Sequence, residues 1–464
     1  MNGTEPSPRD FQCPCRYFFC VPCCSRLSEW ITDTRPDIPP KDPETRIWYE
    51  RGKCSRFDLL FPFLTALVLL LDSAMDLRVA VVHYQRGDYT WSVLTLGFAF
   101  VSLVSIEILS ANWYLEDQRS YKREILKKNG LEIKYWHYIC HFFLCGSLLR
   151  YCQIFRTVRL IRRIKQPSPD DKDRYRLYIA QLQDSSTLGV LEAFMEEAPQ
   201  VALQLYILLQ RGTLDLTSFE DLIVALSIPK SLALFAFNLL IYARYIRVAD
   251  TESHQLNWCS VGSLLYFIWR LFMLTSRILA LAVFASHFTR FVFVIVGIHL
   301  AASYVLLWRQ ECEYFEGEPI KQKVFRFAIA YVHIFCFFPL EGKNTRKWGY
   351  PFYILTLIEN SVMVLLWNFL TSYGLKFRIA MLTTEWATFA IGIISLALFY
   401  RRFHPSLNTD ETRPDDVDLG RHTRVKSLYK RARWELNSNR NGTAATSVTT
   451  IAVTTISSCN ATNV

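Results

Sequence analysis

Residues Leu191 to Gln210 read LEAFMEEAPQVALQLYILLQ, an apolar helix of membrane length that carries Glu192, Glu196, Glu197, Pro199, Gln200 and Gln204. On a helix Glu192, Glu196, Gln200 and Gln204 succeed one another at i, i+4 and fall on one stripe. Ionisable groups at bilayer depth cost about 2.5 to 3.5 kcal/mol each on insertion scales, so the stripe is expected to face protein or water and to mark a function. Polar contact between packed helices is the competing, purely structural account. Pro199 removes a backbone donor in mid-helix and deprives the Met195 carbonyl of its partner, which predicts a kink or a local water beside Glu196 and Gln200.

Around this stretch lies a chain of 464 residues, 51% hydrophobic and 15% aromatic, with apolar runs recurring from about residue 57 to residue 400. Soluble domains of this size do not read that way. Eight segments are long enough to cross a bilayer: 57–84, 91–113, 187–210, 219–243, 261–286, 291–308, 351–371 and 379–400. Two shorter apolar stretches, 134–149 and 324–340, have Lys and Arg on both flanks, so each is expected to enter and leave on the cytoplasmic side. The predicted fold class is therefore an all-α polytopic membrane protein of eight transmembrane helices plus two short re-entrant helices, arranged in two pseudo-repeats. Its parts are a cytosolic N-terminal tail (1–56), a first membrane repeat (57–250), a second (251–404) and a flexible cytosolic C-terminal tail (405–464).

The first fifty-odd residues lack the apolar core of a signal peptide, so the first span is expected to act as the insertion signal. A net charge of +10 resides in the loops and tails, where it suits anionic lipid; nucleic acid is a poor partner. The thirteen cysteines do not form a secreted disulfide framework. Five of them, Cys13, Cys15, Cys20, Cys23 and Cys24, alternate with Phe18, Phe19 and Val21. They read as an acylated membrane-surface patch or as reduced thiols. Near the other end, Arg421 to Trp434 reads as a basic segment lying on the anionic leaflet or as a solvated charge run.

Three polar constellations interrupt the spans. Asp72 and Asp76 share a face of the first, the Glu and Gln stripe runs along the third, and Arg270 and Arg277 stand one heptad apart in the fifth. Glu107, Asn238, His299, Glu359, Asn360, Asn368 and Glu385 add smaller contributions. Pairing of the acids with Arg270 and Arg277 would relieve much of the insertion cost. Seven acids (Asp72, Asp76, Glu107, Glu192, Glu196, Glu197, Glu359) nevertheless exceed the three bases Arg78, Arg270 and Arg277, so a surplus must be protonated, hydrated or turned to a groove. Carboxylates on one wall and guanidinium groups on another suit a zwitterionic lipid head group, whose amine approaches an acid while its phosphate approaches an arginine. No GxxxxGK[ST], GxSxG or HExxH occurs, so neither nucleotide-driven pumping nor hydrolysis is indicated, and no cofactor or metal is expected. His137 and His141, four residues apart, have the spacing for zinc but are read as ordinary packing at the membrane edge.

These residues resemble the XK-related membrane proteins, which include the Kell-associated XK protein and apoptotic phospholipid scramblases. The resemblance covers residues 58–404 and is densest at LEAFMEEAPQVALQLYILLQ. Supporting it are Asp72 with Asp76, Trp269-Arg270 through Arg277, Glu359-Asn360-Ser361, and Phe403-His404-Pro405. It implies lipid scrambling without ATP that exposes phosphatidylserine at the plasma membrane, switched on in some members by caspase cleavage of a tail. Other members act constitutively or as partners of lipid-transfer proteins. Asp415-Asp416-Val417-Asp418 resembles such a cleavage site, with bulky Leu419 after the cut; Asp33 and Asp37 are the alternatives. Two other readings stay open: a non-scrambling adaptor that recruits a lipid-transfer protein through Arg156 to Lys165, and a small-solute transporter. A single-span accessory subunit is a further expected partner.

Overall fold

Ser55 starts the first long helix. Its side chain accepts the Asp58 backbone N–H at 3.2 Å while the Asp58 carboxylate accepts the Ser55 N–H at 2.7 Å, a reciprocal cap that satisfies two otherwise unpaired donors. The structure is a computed structural model that describes residues 48–403 except 51, 53, 120–121, 165–167, 169–170, 213–217, 250–255, 257–259, 310–318 and 339–344. Cys13, Cys15, Cys20, Cys23, Cys24, Asp33, Asp37, Asp418 and the greater part of both tails lie outside the described residues.

Thirteen α-helices and one π turn follow among the described residues: α1 (Arg56–Gln85), α2 (Tyr89–Arg119), α3 (Lys122–Lys128), α4 (Tyr135–Phe142), α5 (Gly146–Ile161), α6 (Lys172–Glu192), the π turn Ala193–Glu197, α7 (Ala198–Arg211), α8 (Phe219–Ala249), α9 (Val261–His287), α10 (Phe291–Trp308), α11 (Pro319–His333), α12 (Thr345–Leu370) and α13 (Leu375–Arg402). The all-α polytopic class stands. Seven of these helices, α1, α2, α8, α9, α10, α12 and α13, are long and apolar enough to cross a membrane. The expected crossing at 187–210 is divided among the end of α6, the π turn and the 14-residue α7, so no single apolar helix of membrane length covers it. The stretch expected to be a short re-entrant helix at 134–149 is divided between two helices: α4 ends at Phe142, Leu144 turns with a φ of 58°, and α5 begins at Gly146. The second short stretch is the single helix α11.

Burial runs opposite to that of a water-soluble bundle at the periphery. On α1, Leu60, Phe63, Leu64, Leu67 and Leu71 point outward, as an aliphatic solvent permits. In its most apolar window α1 is only 11% buried, whereas α9 is 67% buried, which makes α9 the central post. Leu274, Ile278, Ala280 and Phe284 of α9 pack with Phe194 and Val201 from the π turn and α7, with Phe235 and Leu239 of α8, and with Phe389 and Phe399 of α13. A second, smaller core straps the chain before α1 to the same bundle. Tyr49 meets Tyr175 edge-on at 5.7 Å, and the Arg162 guanidinium donates to the Cys54 carbonyl at 2.9 Å. Gly52 lies so close to Tyr175 that a β-carbon there would come within 2.7 Å of the ring. Burial pushes the Cys54 thiol well above its ordinary range, so it stays protonated and inert.

Candidate functional site

The polar residues of the spans gather in three separate clusters. The first joins α1, α2, the π turn, α7 and α8. Asp72 and Asp76, one helical turn apart on α1, both contact the ammonium of Lys230 on α8, the second at 3.2 Å. Carboxylate oxygens of Asp72, Asp76 and Glu196 lie within 4.8 Å of one another, close enough to share one cation, and Lys230 supplies one. Glu197 is buried beside them with its Oε2 unpartnered. Gln200 donates to Asp76 at 3.1 Å, Gln204 donates to the Thr95 hydroxyl at 3.3 Å, and the Gln204 carbonyl oxygen meets His83 Nε2 at 3.0 Å. A polar chain thus descends from Lys230 to His83. Asp76, Gln200, Gln204, Ser227 and Ser231 line a narrow polar cleft together with Val79, Val201 and Ile228.

Pro199 explains the backbone beside this cluster. The Ala198 N–H reaches back five residues to the Ala193 carbonyl, forming the π turn immediately before the proline that cannot donate. The Phe194 carbonyl, bypassed by that shift, accepts the Tyr331 hydroxyl of α11 at 3.0 Å. The predicted irregularity is present, in the form of an extra residue in the turn. Of the predicted stripe, Glu196, Gln200 and Gln204 are buried, and Glu192 is half-buried with no hydrogen-bond partner among the described residues.

In the second cluster the acid is Glu107. Its carboxylate accepts the Gly146 and Ser147 backbone N–H groups, each at 3.0 Å, and lies 2.6 Å from His141 Nδ1. It therefore caps the positive start of α5. His137 Nδ1 turns to the Lys134 backbone instead, so the two histidines hold the α4–α5 junction and do not converge on one point. A β-carbon at Gly146 would fall 1.6 Å from His141 Nδ1 and 2.2 Å from the Glu107 carboxylate. Gly146→Ala is expected to cost about 1 to 3 kcal/mol of stability and to displace the junction, read as a lower melting temperature of the purified protein. An unchanged melting temperature would show that the junction is loosely held.

In the third cluster Arg277 of α9 is enclosed and uses three nitrogens. It donates to the Ile334 carbonyl, to Asn360 and to Glu359, each at 2.8 Å. His299 bridges Glu359 at 2.9 Å and the His333 carbonyl at 3.0 Å. Ser276 donates to Glu385 at 2.9 Å.

This geometry corrects the expected pairing of acids with the two arginines of the fifth span. Only Glu359 pairs with Arg277. Arg270 finds no carboxylate among the described residues; it donates to the Phe337 carbonyl at 2.9 Å and rests 4.2 Å over the Trp269 ring. Arg78 points outward. The counter-ion of Asp72 and Asp76 is Lys230, absent from the sequence-based tally of bases although it lies within the expected span 219–243. His83, His141 and Tyr331 were likewise not singled out as partners.

Fold and clusters define a multi-pass helical membrane protein with ionisable side chains enclosed between lipid-facing helices. A model of the XK-related protein family matches residues 60–405, and the chain belongs to that family. Similar proteins include XK-related protein 8 of Pan troglodytes, 26% identical over 400 residues that make up 85% of this chain and 94% of that protein. XK-related protein 8 of Tetraodon nigroviridis is 24% identical over 378 residues, 78% of this chain and 87% of the relative. Cell death abnormality protein 8 of Caenorhabditis briggsae is 24% identical over 371 residues, covering 75% and 78%. The name of the third relative connects that protein with cell death.

Proposed function

We propose that this chain is a phospholipid scramblase of the plasma membrane that works without ATP and exposes phosphatidylserine. The observation that carries the reading is the Lys230, Asp72, Asp76 and Glu196 cluster on a polar cleft between helices whose other faces are lipid-exposed. Parting α1 from α8 would separate Lys230 from its two aspartates and offer an ammonium to a lipid phosphate and carboxylates to its amine, while the acyl chains stay in hydrocarbon. Lowering a barrier in this way needs no energy source, so the protein is not an enzyme of covalent chemistry. The distribution of positive charge along the sequence supports a cytosolic location for both tails. Caspase cleavage after Asp418, with Asp33 and Asp37 as alternatives, is the proposed release during apoptosis. A single-span subunit or a lipid-transfer protein is the proposed companion.

The exposed Arg156, Arg159 and Arg163 favour a second reading, an adaptor that recruits a lipid-transfer protein. Purified protein in liposomes, with a fluorescent lipid and an impermeant quencher, separates the two. Scrambling by the form truncated at Asp418 is expected, and Asp72→Asn with Asp76→Asn should slow it about tenfold, equivalent to about 1.4 kcal/mol of barrier. Absence of scrambling in both intact and truncated protein would leave the adaptor.

A further inference from the structure

One end of the bundle carries an excess of exposed basic side chains among the described residues. Lys127 and Lys128 close α3, Lys134 precedes α4, Arg156 and Arg159 lie along the outer face of α5, and Arg163 follows it. All six are exposed, and none has a carboxylate partner among the described residues. Asp171 pairs with Arg174 at 2.8 Å and Asp184 with Arg150 at 3.8 Å, while Glu132, exposed between Lys128 and Lys134, sets one negative charge among the six positive ones and leaves the surface strongly basic. The six are neighbours because Leu126 and Leu131 pack with Leu160 of α5 and Leu177 of α6, drawing the ends of these elements together. The start of α1 lies at the same end, as the bond from Arg162 to the Cys54 carbonyl requires.

Beside the charges stands an apolar wedge. Helix α4 buries His137 and His141 and turns Trp136, Ile139 and Phe142 outward, with Tyr135 at its foot and Phe143 just past its tip. Tyr135 and Trp136 adjoin Lys134, the level at which amphipathic rings meet head groups, while Phe142 and Phe143 are carried inward toward Glu107 in the middle of α2. Basic groups at head-group level above aromatic groups at acyl level match a phospholipid whose head is negative.

We propose that this basic collar is a binding surface for anionic phospholipid, phosphatidylserine included, in the leaflet it faces. Guanidinium groups take the phosphate in paired hydrogen bonds, the lysines add unshaped positive charge, and the α4 aromatics take the acyl chains. The collar is separate from the Lys230 cluster, so the inference holds whether the chain scrambles lipid or only recruits a partner.

The test uses the full chain in non-ionic detergent micelles with acyl-labelled phosphatidylserine or phosphatidylcholine, retention being measured by equilibrium gel filtration. Phosphatidylserine should be retained about tenfold better at 0.1 M salt, and the preference should vanish at 0.5 M, where charges are screened over a few ångströms. Arg156→Gln with Arg159→Gln and Arg163→Gln should abolish it, and Lys127→Gln with Lys128→Gln should reduce it about threefold. Melting temperature and elution volume report folding for each variant, so the lysine pair still decides if the arginine variant misfolds. Asp72→Asn with Asp76→Asn should keep the preference, which separates the collar from the transport route. Equal retention of the two lipids, or a preference that survives both collar variants, overturns the proposal. So does binding of an acidic peptide of residues 409–420 in the absence of any lipid preference, an outcome that would make the collar a peptide surface.

Discussion

Replacing Lys230 by Met is expected to cost about 3 to 5 kcal/mol of stability, because it strips the only described cation from a nest of buried carboxylates. Asp72 and Asp76 are each 4% exposed and Glu197 only 1%, so water cannot take over the role of the ammonium in this conformation. Thermal unfolding in detergent should show the loss as a clearly lower transition. The informative comparison is the triple variant Lys230→Met, Asp72→Asn, Asp76→Asn, which removes the charges together and is expected to recover most of the loss. If the triple variant melts as low as the single one, the lysine acts through packing of its stem and the charge argument is wrong. In liposomes the triple variant should still be slow, since the polar lining that the head group needs has gone.

Arg277→Met is the second large effect, again about 3 to 5 kcal/mol, for a different reason. The side chain is 1% exposed and joins α9 to the turn after α11 and to α12 through three hydrogen bonds of 2.8 Å. Its removal leaves a carbonyl, an amide oxygen and a carboxylate without their donor. Arg277→Lys keeps the charge but lacks the planar fork, so it should recover less than half of the loss. Arg270→Met is the control: among the described residues its guanidinium serves one carbonyl and two aromatic rings and no carboxylate, so it should cost distinctly less. Equal losses at the two arginines would show that burial, not the ion pair, sets the penalty.

The extent to which the fold was legible follows from the solvent. Hydrocarbon demands long apolar helices, and their runs and basic flanks are visible without knowledge of contacts, which is why α1, α2, α8, α9, α10, α12 and α13 lie close to their expected limits. Polar partners are harder. The i, i+4 rule brought Asp72 and Asp76 together correctly, because it concerns one helix. It could not tell that α8 lies against α1 and α9 does not, so the acids were assigned to Arg270 and Arg277. Lys230 was legible in principle: a lysine eleven residues into an apolar span is as anomalous as a glutamate. The same-side return of the 134–149 stretch was legible from its basic flanks, but the division into α4 and α5 was not, because the left-handed residue at the break is Leu144. The π turn was half legible, Pro199 giving its place but not its form.

That turn contains one residue more than the α-helical turn it replaces. Drawing the surplus residue into regular helix would advance α6 by about 1.5 Å and rotate it by about 100° against α7. Glu192 lies on the moving side of that screw, and Gln200 and Gln204 lie on the fixed side. The relative heading of the two half-helices is thus a counted quantity, one residue in or out, and the Tyr331 hydroxyl on the Phe194 carbonyl is the pawl that keeps the count where it is.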